Sequence, residues 1–382
     1  MAGTEASRPI RVLHTLSCVH SGGVEQLRVL LARGLPAGRY EHALITQESA
    51  GGIPGVLSDA GWSIHDIGIA RHILDPAWYA RAASIAREFA PDLIHGAVFE
   101  GNALANVLGL RFPRTPVISE ETSNPLNRSW RGNLLIRGFY LRSQAVIAVS
   151  PAVVDYLIGV AKVPARKVIH IDNAVEQAAA PDPHQIDRLR QKLGLAAEDV
   201  VIGSVGRIQD DPKRFSDLIL AFGEVSRNIP RARLLLVGDG PDRAMLERLA
   251  EQRGLGDAVV FAGYQADPRP FYWLMDVFAL ASAREAFGLV LVEAMLAGVP
   301  VVATAVGGMP HVLGHGAAGV LVPPLDPPAM AREITRLLMD APERRRLAHA
   351  GQERARSEFS PERYCADIDR LYRRLARLVS VG

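Results

Sequence analysis

Short apolar runs recur along this chain and alternate with stretches of helical character. In the first half the runs cover residues 10–16, 41–46, 92–96, 116–119, 145–150 and 168–171. In the second half they cover residues 200–205, 233–237, 259–262, 276–281 and 299–304. Continuous apolar runs are typical of parallel strands that are buried on both faces. The pattern therefore predicts an α/β protein built from two doubly wound, Rossmann-like domains.

The chain is also too long for one compact core. At 382 residues it favours two domains, and its composition of 48% hydrophobic and 22% charged residues is that of a globular protein. The Ala- and Pro-rich stretch 174–184 reads as the linker, which predicts domains at 1–174 and 175–360. Ser360 and Pro361 then form a helix start, so 361–382 is predicted to be a terminal helix that ends near 379.

Charge and targeting signals narrow the class of protein. The net charge of +2 gives no support to a nucleic-acid partner. Cys18 and Cys365 lack the spacing of a disulfide framework or a zinc site. Residues 1–9 lack the apolar segment of a signal peptide, and the apolar stretch 287–306 is interrupted by Glu293, glycines and Pro300. These features predict a cytoplasmic protein that does not cross a membrane.

The segment Glu285-Ala-Phe-Gly-Leu-Val-Leu-Val-Glu293 places two carboxylates at the start of an apolar helix. The unpaired amides at such a start attract a phosphate, and here they belong to Phe287, Gly288, Leu289 and Val290. Glu285 would then hold sugar hydroxyls and Glu293 a ribose. The alternative interpretation is an amphipathic helix with one solvated Glu.

Two cations follow the apolar run 200–205. Gly206-Arg207 comes directly after this predicted strand and Lys213 follows six residues later. Fixed cations beyond a strand end would offset the charge that develops on a departing diphosphate. The alternative is a pair of solvated surface cations. Lysine is rare in this chain, occurring only at 162, 167, 192 and 213, so a lysine at this spacing favours the functional interpretation.

A glycine-rich turn follows the first predicted strand. Ser21-Gly22-Gly23-Val24-Glu25 leads into a helical stretch, and the Gly22 and Gly23 amides could face a donor because no Cβ blocks the approach. An ordinary tight turn is the alternative.

Taken together, E-x7-E, G-R-x5-K and G-G-V-E resemble the motifs of retaining glycosyltransferases with the GT-B fold, family 4 type. The resemblance covers most of the chain. It implies two domains that face each other across a cleft, with a C-terminal helix that crosses back to the first domain. It also implies a nucleotide-sugar donor, a hydroxyl acceptor on a glycan, glycolipid or small molecule, and same-face substitution assisted by the leaving phosphate. Base contacts are expected near Gly263 and Tyr264. No cofactor and no metal ion are expected.

The first half departs from the family pattern. Ala97 and Glu120-Glu121-Thr122 stand where relatives often carry histidine. We predict that Glu121 holds a sugar or acceptor hydroxyl, and that it acts with Glu285, Arg207 and Lys213 as a catalytic group. His95 and Glu120 are acceptor-side candidates, because polar strand ends in such folds lie in the ligand crevice. The alternatives are a Glu121 that caps the Ser123 or Asn124 amide and a His95 that is a satisfied structural group.

Segment 127–142 carries four arginines, no acid and interleaved aromatic and aliphatic residues. Such a helix can contact anionic lipid at the inner face of a membrane, which would suit a lipid-linked acceptor, or it can pack on a sheet with its arginines in water.

Three other functions stay open from the sequence. A nucleotide-sugar epimerase and a non-catalytic sugar-nucleotide-binding protein would use the same architecture. An NAD-dependent dehydrogenase is weaker, because segment 237–241 stops after two glycines of G-x-G-x-x-G.

Overall fold

The structure is a computed structural model that describes residues 8–20, 22–69, 75–123 and 130–380. Its contacts divide the chain into two compact units. The first combines the chain up to Asn173 with the segment that begins at Pro361, and the second is Ala174–Ser360. In the described residues, no helix combines the length and the apolar character needed to cross a bilayer.

Strands form at the positions that the apolar runs predict, with small differences in their bounds. They are β1 Ile10–Thr15, β2 Cys18–Val19, β3 Tyr40–Thr46, β4 Glu48–Ser49, β5 Ser63–Asp66, β6 Leu93–Ala97, β7 Val117–Glu121, β8 Ala145–Ala148, β9 Val168–His170, β10 Val200–Val205, β11 Ala232–Val237, β12 Val259–Gly263, β13 Val277–Leu280, β14 Val301–Thr304 and β15 Val320–Val322.

Helices follow most of these strands. They are α1 Gly23–Gly34, α2 Ile53–Asp59, α3 Pro76–Phe89, α4 Val98–Arg111, α5 Trp130–Arg142, α6 Pro151–Asp155, α7 Pro183–Lys192, α8 Asp210–Lys213, α9 Phe215–Asn228, α10 Arg243–Gln252, α11 Arg269–Tyr272, α12 Leu289–Leu296, α13 Met309–Val312, α14 Pro327–Met339, α15 Ala341–Glu358 and α16 Pro361–Ser380.

The first unit is built on a seven-stranded parallel sheet with the order β5-β3-β1-β6-β7-β8-β9. Its central strands are apolar because helices cover them, and one core cluster joins Leu13, Ile45 and Ile94 to aromatic side chains of α3. The strand order reverses between β1 and β6, which is the arrangement of a doubly wound sheet.

The second unit contains a six-stranded parallel sheet with the order β12-β11-β10-β13-β14-β15. Phe215 and Phe222 of α9 and Ile334 of α14 pack against its strands in one continuous core. The order reverses between β10 and β13. In open sheets of this kind, ligands bind outside the carboxyl ends of the strands at such a switch point.

The terminal helix α16 packs on the first unit, as the resemblance predicted. Tyr372 bonds to His95 Nδ1 of β6 at 2.7 Å, and the Tyr40 hydroxyl donates to Asp369 at 2.7 Å. The Cys365 thiol donates to the Leu30 carbonyl of α1 at 3.4 Å. These contacts join the end of the chain to the first sheet.

Three buried histidines lie side by side on neighbouring strands of the first sheet. The rings of His14 and His42 both stack on Trp62, with centroids 4.5 and 4.4 Å away. His14 also lies 5.5 Å from His95. Burial lowers the pKa of His42 to about 3 and that of His95 to about 4, and it lowers the pKa of His14 well below the usual value. All three rings are therefore neutral at pH 7.

This cluster predicts that acid destabilises the first unit. An unfolded chain protonates these histidines below about pH 6.5, whereas the folded unit excludes the protons until lower pH. The free energy of unfolding should thus fall as the pH drops from 6.5 towards 4, by up to about 1.4 kcal/mol per pH unit for each histidine. Urea unfolding at pH 7.5, 6.5 and 5.5 measures this slope.

The variant His42→Phe keeps an aromatic ring against Trp62 but removes one titrating group, so its slope should be smaller. His349→Ala, which changes an exposed histidine, is the control and should keep the wild-type slope. An unchanged slope in His42→Phe would contradict the conclusion that the folded protein lowers the pKa of His42.

Candidate functional site

Two loops meet at the switch point of the second sheet. The loop after β10 carries Lys213, whose ammonium donates to Glu285 Oε2 at 2.5 Å in the loop after β13. Arg284 pairs with Asp211 at 2.6 Å across the same two loops. The Ala283 amide donates to the Pro212 carbonyl at 2.8 Å. Three contacts thus hold the predicted cation and carboxylate next to each other.

The loop after β10 is also fixed from its other side. Asp210 accepts the Ser216 amide at 2.8 Å and the Ser216 hydroxyl at 2.7 Å, which satisfies the start of α9. The Asp210 amide in turn donates to Asp242 at 2.7 Å. These bonds leave the backbone around Lys213 little freedom, which is what a preorganised charge requires.

Helix α12 begins at the predicted position. Gly288 precedes it with φ of +96°, a conformation that favours glycine, and its carbonyl accepts the Leu291 amide at 2.9 Å. The amides of Leu289 and Val290 fall in the first turn, where no intrahelical acceptor exists. A Cβ at Gly308 would overlap the Ala286 carbonyl oxygen, so that glycine permits the close approach of a neighbouring loop. Phe287 is buried edge-on against Phe359, 5.4 Å away.

Arg207, Gly263 and Tyr264 lie at the ends of neighbouring strands. Arg207 follows β10 directly and is exposed, and within the described part of the chain its guanidinium has no hydrogen bond or ion pair. Gly263 ends β12, and its carbonyl accepts the Gly238 amide at 2.9 Å. Tyr264 is exposed beside it. Arg207 and Tyr264 are therefore exposed at this edge of the sheet, while Gly263 is partly buried.

Glu293 lies in the second turn of α12, and its side chain is partly buried. The hydroxyl of Tyr272 donates to Glu293 Oε2 at 2.6 Å. Burial raises the pKa of the Glu293 carboxyl, while this hydrogen bond and nearby Arg269 lower it. The sequence did not single out Tyr272, because an aromatic residue in an apolar run such as 271–275 reads as core.

In the first unit, Gly22 is the cap of α1 and Gly23 its first residue. The Gln26 amide donates to the Gly22 carbonyl at 3.1 Å, and a Cβ at Gly22 would overlap the Glu25 carboxylate. The predicted strand, turn and helix are therefore present. Ser21 lies outside the described residues.

His95 and Glu120 are placed differently from the sequence prediction. Their side chains are 0% and 1% exposed. Arg28 donates to Glu120 Oε2 at 2.8 Å, and His95 Nε2 lies 3.3 Å from the same oxygen. Burial opposes the ionised form of Glu120, yet Arg28 lowers the pKa of this carboxyl to about 2. In this conformation neither residue can contact an acceptor, because α1 and α16 cover the strand ends where an open crevice was expected.

Glu121 is also buried, and its carboxylate accepts hydrogen bonds from Tyr140 and Ser123. They come from the Tyr140 hydroxyl at 2.7 Å, the Ser123 hydroxyl at 2.6 Å and the Ser123 amide at 3.1 Å. The alternative weighed from the sequence, a cap on the Ser123 amide, is thus present. Asn124 lies outside the described residues.

Comparison with known proteins identifies the family. Residues 21–178 match the family model "Glycosyltransferase Family 4", and residues 185–354 match "Glycosyl transferases group 1". Together the two models span most of the chain. The chain belongs to the GT-B glycosyltransferases of family 4 type. The first family model ends at residue 178 and the second begins at residue 185, close to the boundary between the two structural units.

Curated relatives match part of their length. N-acetyl-alpha-D-glucosaminyl L-malate synthase of Bacillus anthracis is 29% identical over 63% of this chain and 62% of its own. Lipopolysaccharide core biosynthesis glycosyltransferase LpsE of Rhizobium meliloti (strain 1021) is 37% identical over 45% of this chain and 49% of its own. The chain thus spans about half to three-fifths of the length of these relatives.

Solved structures match nearly the whole chain. HepE of Anabaena, crystallised in complex with UDP-glucose, has a TM-score of 0.85 and 25% identity over 96% of this chain and 100% of its own. WaaG, a glycosyltransferase involved in lipopolysaccharide biosynthesis, has a TM-score of 0.73 and 17% identity over 98% of this chain and 100% of its own. The likeness to WaaG shows the fold alone.

Proposed function

We propose that this glycosyltransferase transfers a sugar from a nucleoside diphosphate sugar to a hydroxyl group, with retention of the anomeric configuration and without a metal ion. The acceptor class is a glycan, a glycolipid or a small-molecule alcohol. UDP-glucose in the HepE structure supports this class of donor.

The observation that carries the proposal is the 2.5 Å contact between Lys213 and Glu285. In a nucleotide sugar the sugar is bonded directly to the terminal phosphate. A group that holds the sugar and a group that holds that phosphate must therefore be neighbours. A carboxylate suits hydroxyls and an ammonium suits phosphate, so this pair fits the junction between them. Arg207 and the first amides of α12 extend the anion site along the diphosphate.

The reaction would break the bond between the anomeric carbon and the diphosphate oxygen. The acceptor oxygen would bond to the same face of that carbon, and the acceptor proton would pass to the departing phosphate oxygen. Lys213 and Arg207 would stabilise the charge that develops on the diphosphate, and Glu285 would orient the sugar hydroxyls. Glu293 would hold the ribose. Gly22 and Gly23 would bring backbone amides to the donor, and the strand end at Gly263 and Tyr264 would meet the base.

Thermal-shift measurements with UDP, GDP, ADP, CDP and dTDP test the donor class, because a ligand that binds the folded state raises the unfolding temperature. Transfer is then measured with the corresponding nucleotide sugars, and the anomeric configuration of the product is read by NMR. Stabilisation by none of these nucleotides, or an inverted product, would contradict the proposal.

Lys213→Ala should slow turnover by about 10²- to 10³-fold, the loss measured when one donor to a developing oxyanion is removed, and should weaken donor binding much less. Lys192→Ala removes an exposed lysine at the end of α7 and is the matched control. Single-turnover transfer and calorimetric donor affinity separate the two effects. Wild-type turnover in a folded Lys213→Ala variant would contradict the proposal that Lys213 stabilises the leaving diphosphate.

The variant Glu285→Gln and the double variant Lys213→Ala, Glu285→Gln show whether Lys213 acts only through Glu285. If it does, adding Lys213→Ala to Glu285→Gln should cause no further loss of turnover. If the ammonium acts on the diphosphate itself, the double variant should be slower than either single variant.

Metal independence makes a separate prediction. Because Lys213, Arg207 and the α12 amides would supply the positive charge, sugar transfer should keep its rate when EDTA is added in excess over all divalent metal ions. Restoration of a lost activity by Mn²⁺ or Mg²⁺ would show that the charge comes from a metal ion instead.

We further propose that helix α5 contacts an anionic lipid surface at the cytoplasmic face of a membrane, which would suit a lipid-linked acceptor. Its Ile136 and Tyr140 are buried, whereas Trp130 and Leu134 are 72% and 59% exposed. Arg131 lies over the Trp130 ring at 5.4 Å. Exposed apolar side chains flanked by arginines favour such a surface. Residues 127–129 of this segment lie outside the described residues.

The double variant Trp130→Ser, Leu134→Ser should lose cosedimentation with vesicles that contain phosphatidylglycerol. Met339→Ser, which changes an exposed apolar residue of the second unit, should keep it. Neutral phosphatidylcholine vesicles should bind the wild-type protein weakly, because charge attraction is absent. Equal binding by the double variant and the wild type would contradict a role of α5.

A further inference from the structure

The Tyr272 hydroxyl is committed to one oxygen of Glu293. Tyr272 ends the short helix α11, its side chain is buried, and its ring contacts Phe278 with centroids 5.7 Å apart. The hydroxyl reaches Glu293 Oε2 at 2.6 Å. Among the described residues, Tyr272 is the one that donates a hydrogen bond to this carboxylate. Oε1 therefore remains the oxygen without a protein donor.

The charges around Glu293 are few. Arg269 lies on the same short helix as Tyr272, and its guanidinium is paired with Asp267 at 2.6 Å. Tyr272, Arg269 and Asp267 are the titratable or charged groups of the described chain that act on the Glu293 carboxyl. Burial, together with the Glu293 charge, raises the pKa of the Tyr272 phenol well above 10, so the phenol stays protonated and acts only as a donor.

We propose that Tyr272 is a positioning residue for the donor nucleotide: its hydroxyl fixes Glu293 through Oε2, so that Oε1 accepts a ribose hydroxyl. This inference rests on the proposed function, because it assumes that Glu293 meets a ribose. A short hydrogen bond from a buried phenol restricts the rotamers of a carboxylate before any ligand arrives, which reduces the entropy lost on binding.

The bond also favours the ionised form of the carboxyl. Burial raises the pKa of Glu293 and the Tyr272 bond lowers it, so removal of the hydroxyl raises this pKa further. A protonated carboxyl is a poorer acceptor for a ribose hydroxyl. Nucleotide affinity should consequently fall as the pH decreases, and without the hydroxyl this fall should begin at a higher pH.

The test compares ribonucleotides with their 2′-deoxy forms. UDP, GDP and ADP and their 2′-deoxy counterparts are titrated by calorimetry into wild-type protein, Tyr272→Phe, Glu293→Gln and the double variant, from pH 5.5 to 8. Tyr272→Phe should weaken binding of the preferred ribonucleotide roughly tenfold, bring the ribo-to-deoxy affinity ratio towards one, and shift the pH profile upwards. Turnover at saturating donor should stay near wild type, because the ribose contact exists before and during the reaction.

The double variant Tyr272→Phe, Glu293→Gln shows whether Tyr272 positions Glu293 or only contributes to the stability of the fold. If Tyr272 acts through Glu293, the phenylalanine substitution should cause no further loss of affinity in the Glu293→Gln background. Tyr156→Phe is the matched control, since the buried Tyr156 donates to the neutral side chain of Asn133 at 2.9 Å. It should leave nucleotide affinity, the ribo-to-deoxy ratio and the pH profile unchanged.

Each outcome points to one conclusion. A lower unfolding temperature in Tyr272→Phe with an unchanged ribo-to-deoxy ratio and pH profile would show that Tyr272 is only structural, and would overturn this inference while leaving the proposed function intact. A wild-type protein that binds none of the nucleotides would overturn the proposed function itself, and this inference with it.

Discussion

The ion pair between Lys213 and Glu285 depends on the order of strands in the second sheet. The chain leaves β10 towards one side and returns in β13 on the other, so the loops after these two strands meet at the switch point. Residues 72 positions apart in sequence are thereby brought within 2.5 Å. The start of α12 follows directly from the second loop. The first amides of α12 and the two charges thus share one edge of one sheet.

Glycines make this convergence possible. The loop that contains Gly308 approaches the Ala286 carbonyl so closely that any side chain would collide with it. Gly288 turns the chain into α12 through a positive φ. These residues do not contact a ligand by their side chains. They let the backbone segments around the start of α12 lie close to one another.

Much of the fold followed from the sequence, because strands buried on both faces are recognisable as apolar runs. Two sheet strands that the apolar runs did not predict show the limit of that signal. Ser63–Asp66 is a partly exposed edge strand with polar residues, and Val320–Val322 is a three-residue edge strand. Neither has the length or the apolar continuity of a central strand. Their pairing is determined by neighbouring strands, which a local pattern does not contain.

The start of α12 was predictable because one short motif, 285–293, contains both the glycine and the apolar run. Hydrogen-bond partners that are remote in sequence were not predictable. Tyr272 lies 21 positions from Glu293, and Arg28 lies 92 positions from Glu120. Burial of Glu120 and His95 could not be read from β7 and β6, because the covering helices come from both ends of the chain. The sequence placed acceptor-side candidates at His95 and Glu120, whose side chains are buried in the structure.

Glu120, which is buried, and Glu293, which is partly buried, differ in the group that holds the carboxylate. Glu120 is paired with a full positive charge, and Arg28 lowers the pKa of its carboxyl to about 2. Both side chains of that pair are at most 1% exposed, so the charge is not accessible to a ligand in this conformation. Glu293 is held by a neutral phenol, which fixes the carboxylate without cancelling its charge. In the proposed role of Glu293, a ribose hydroxyl would donate to the second oxygen, to which no described residue donates.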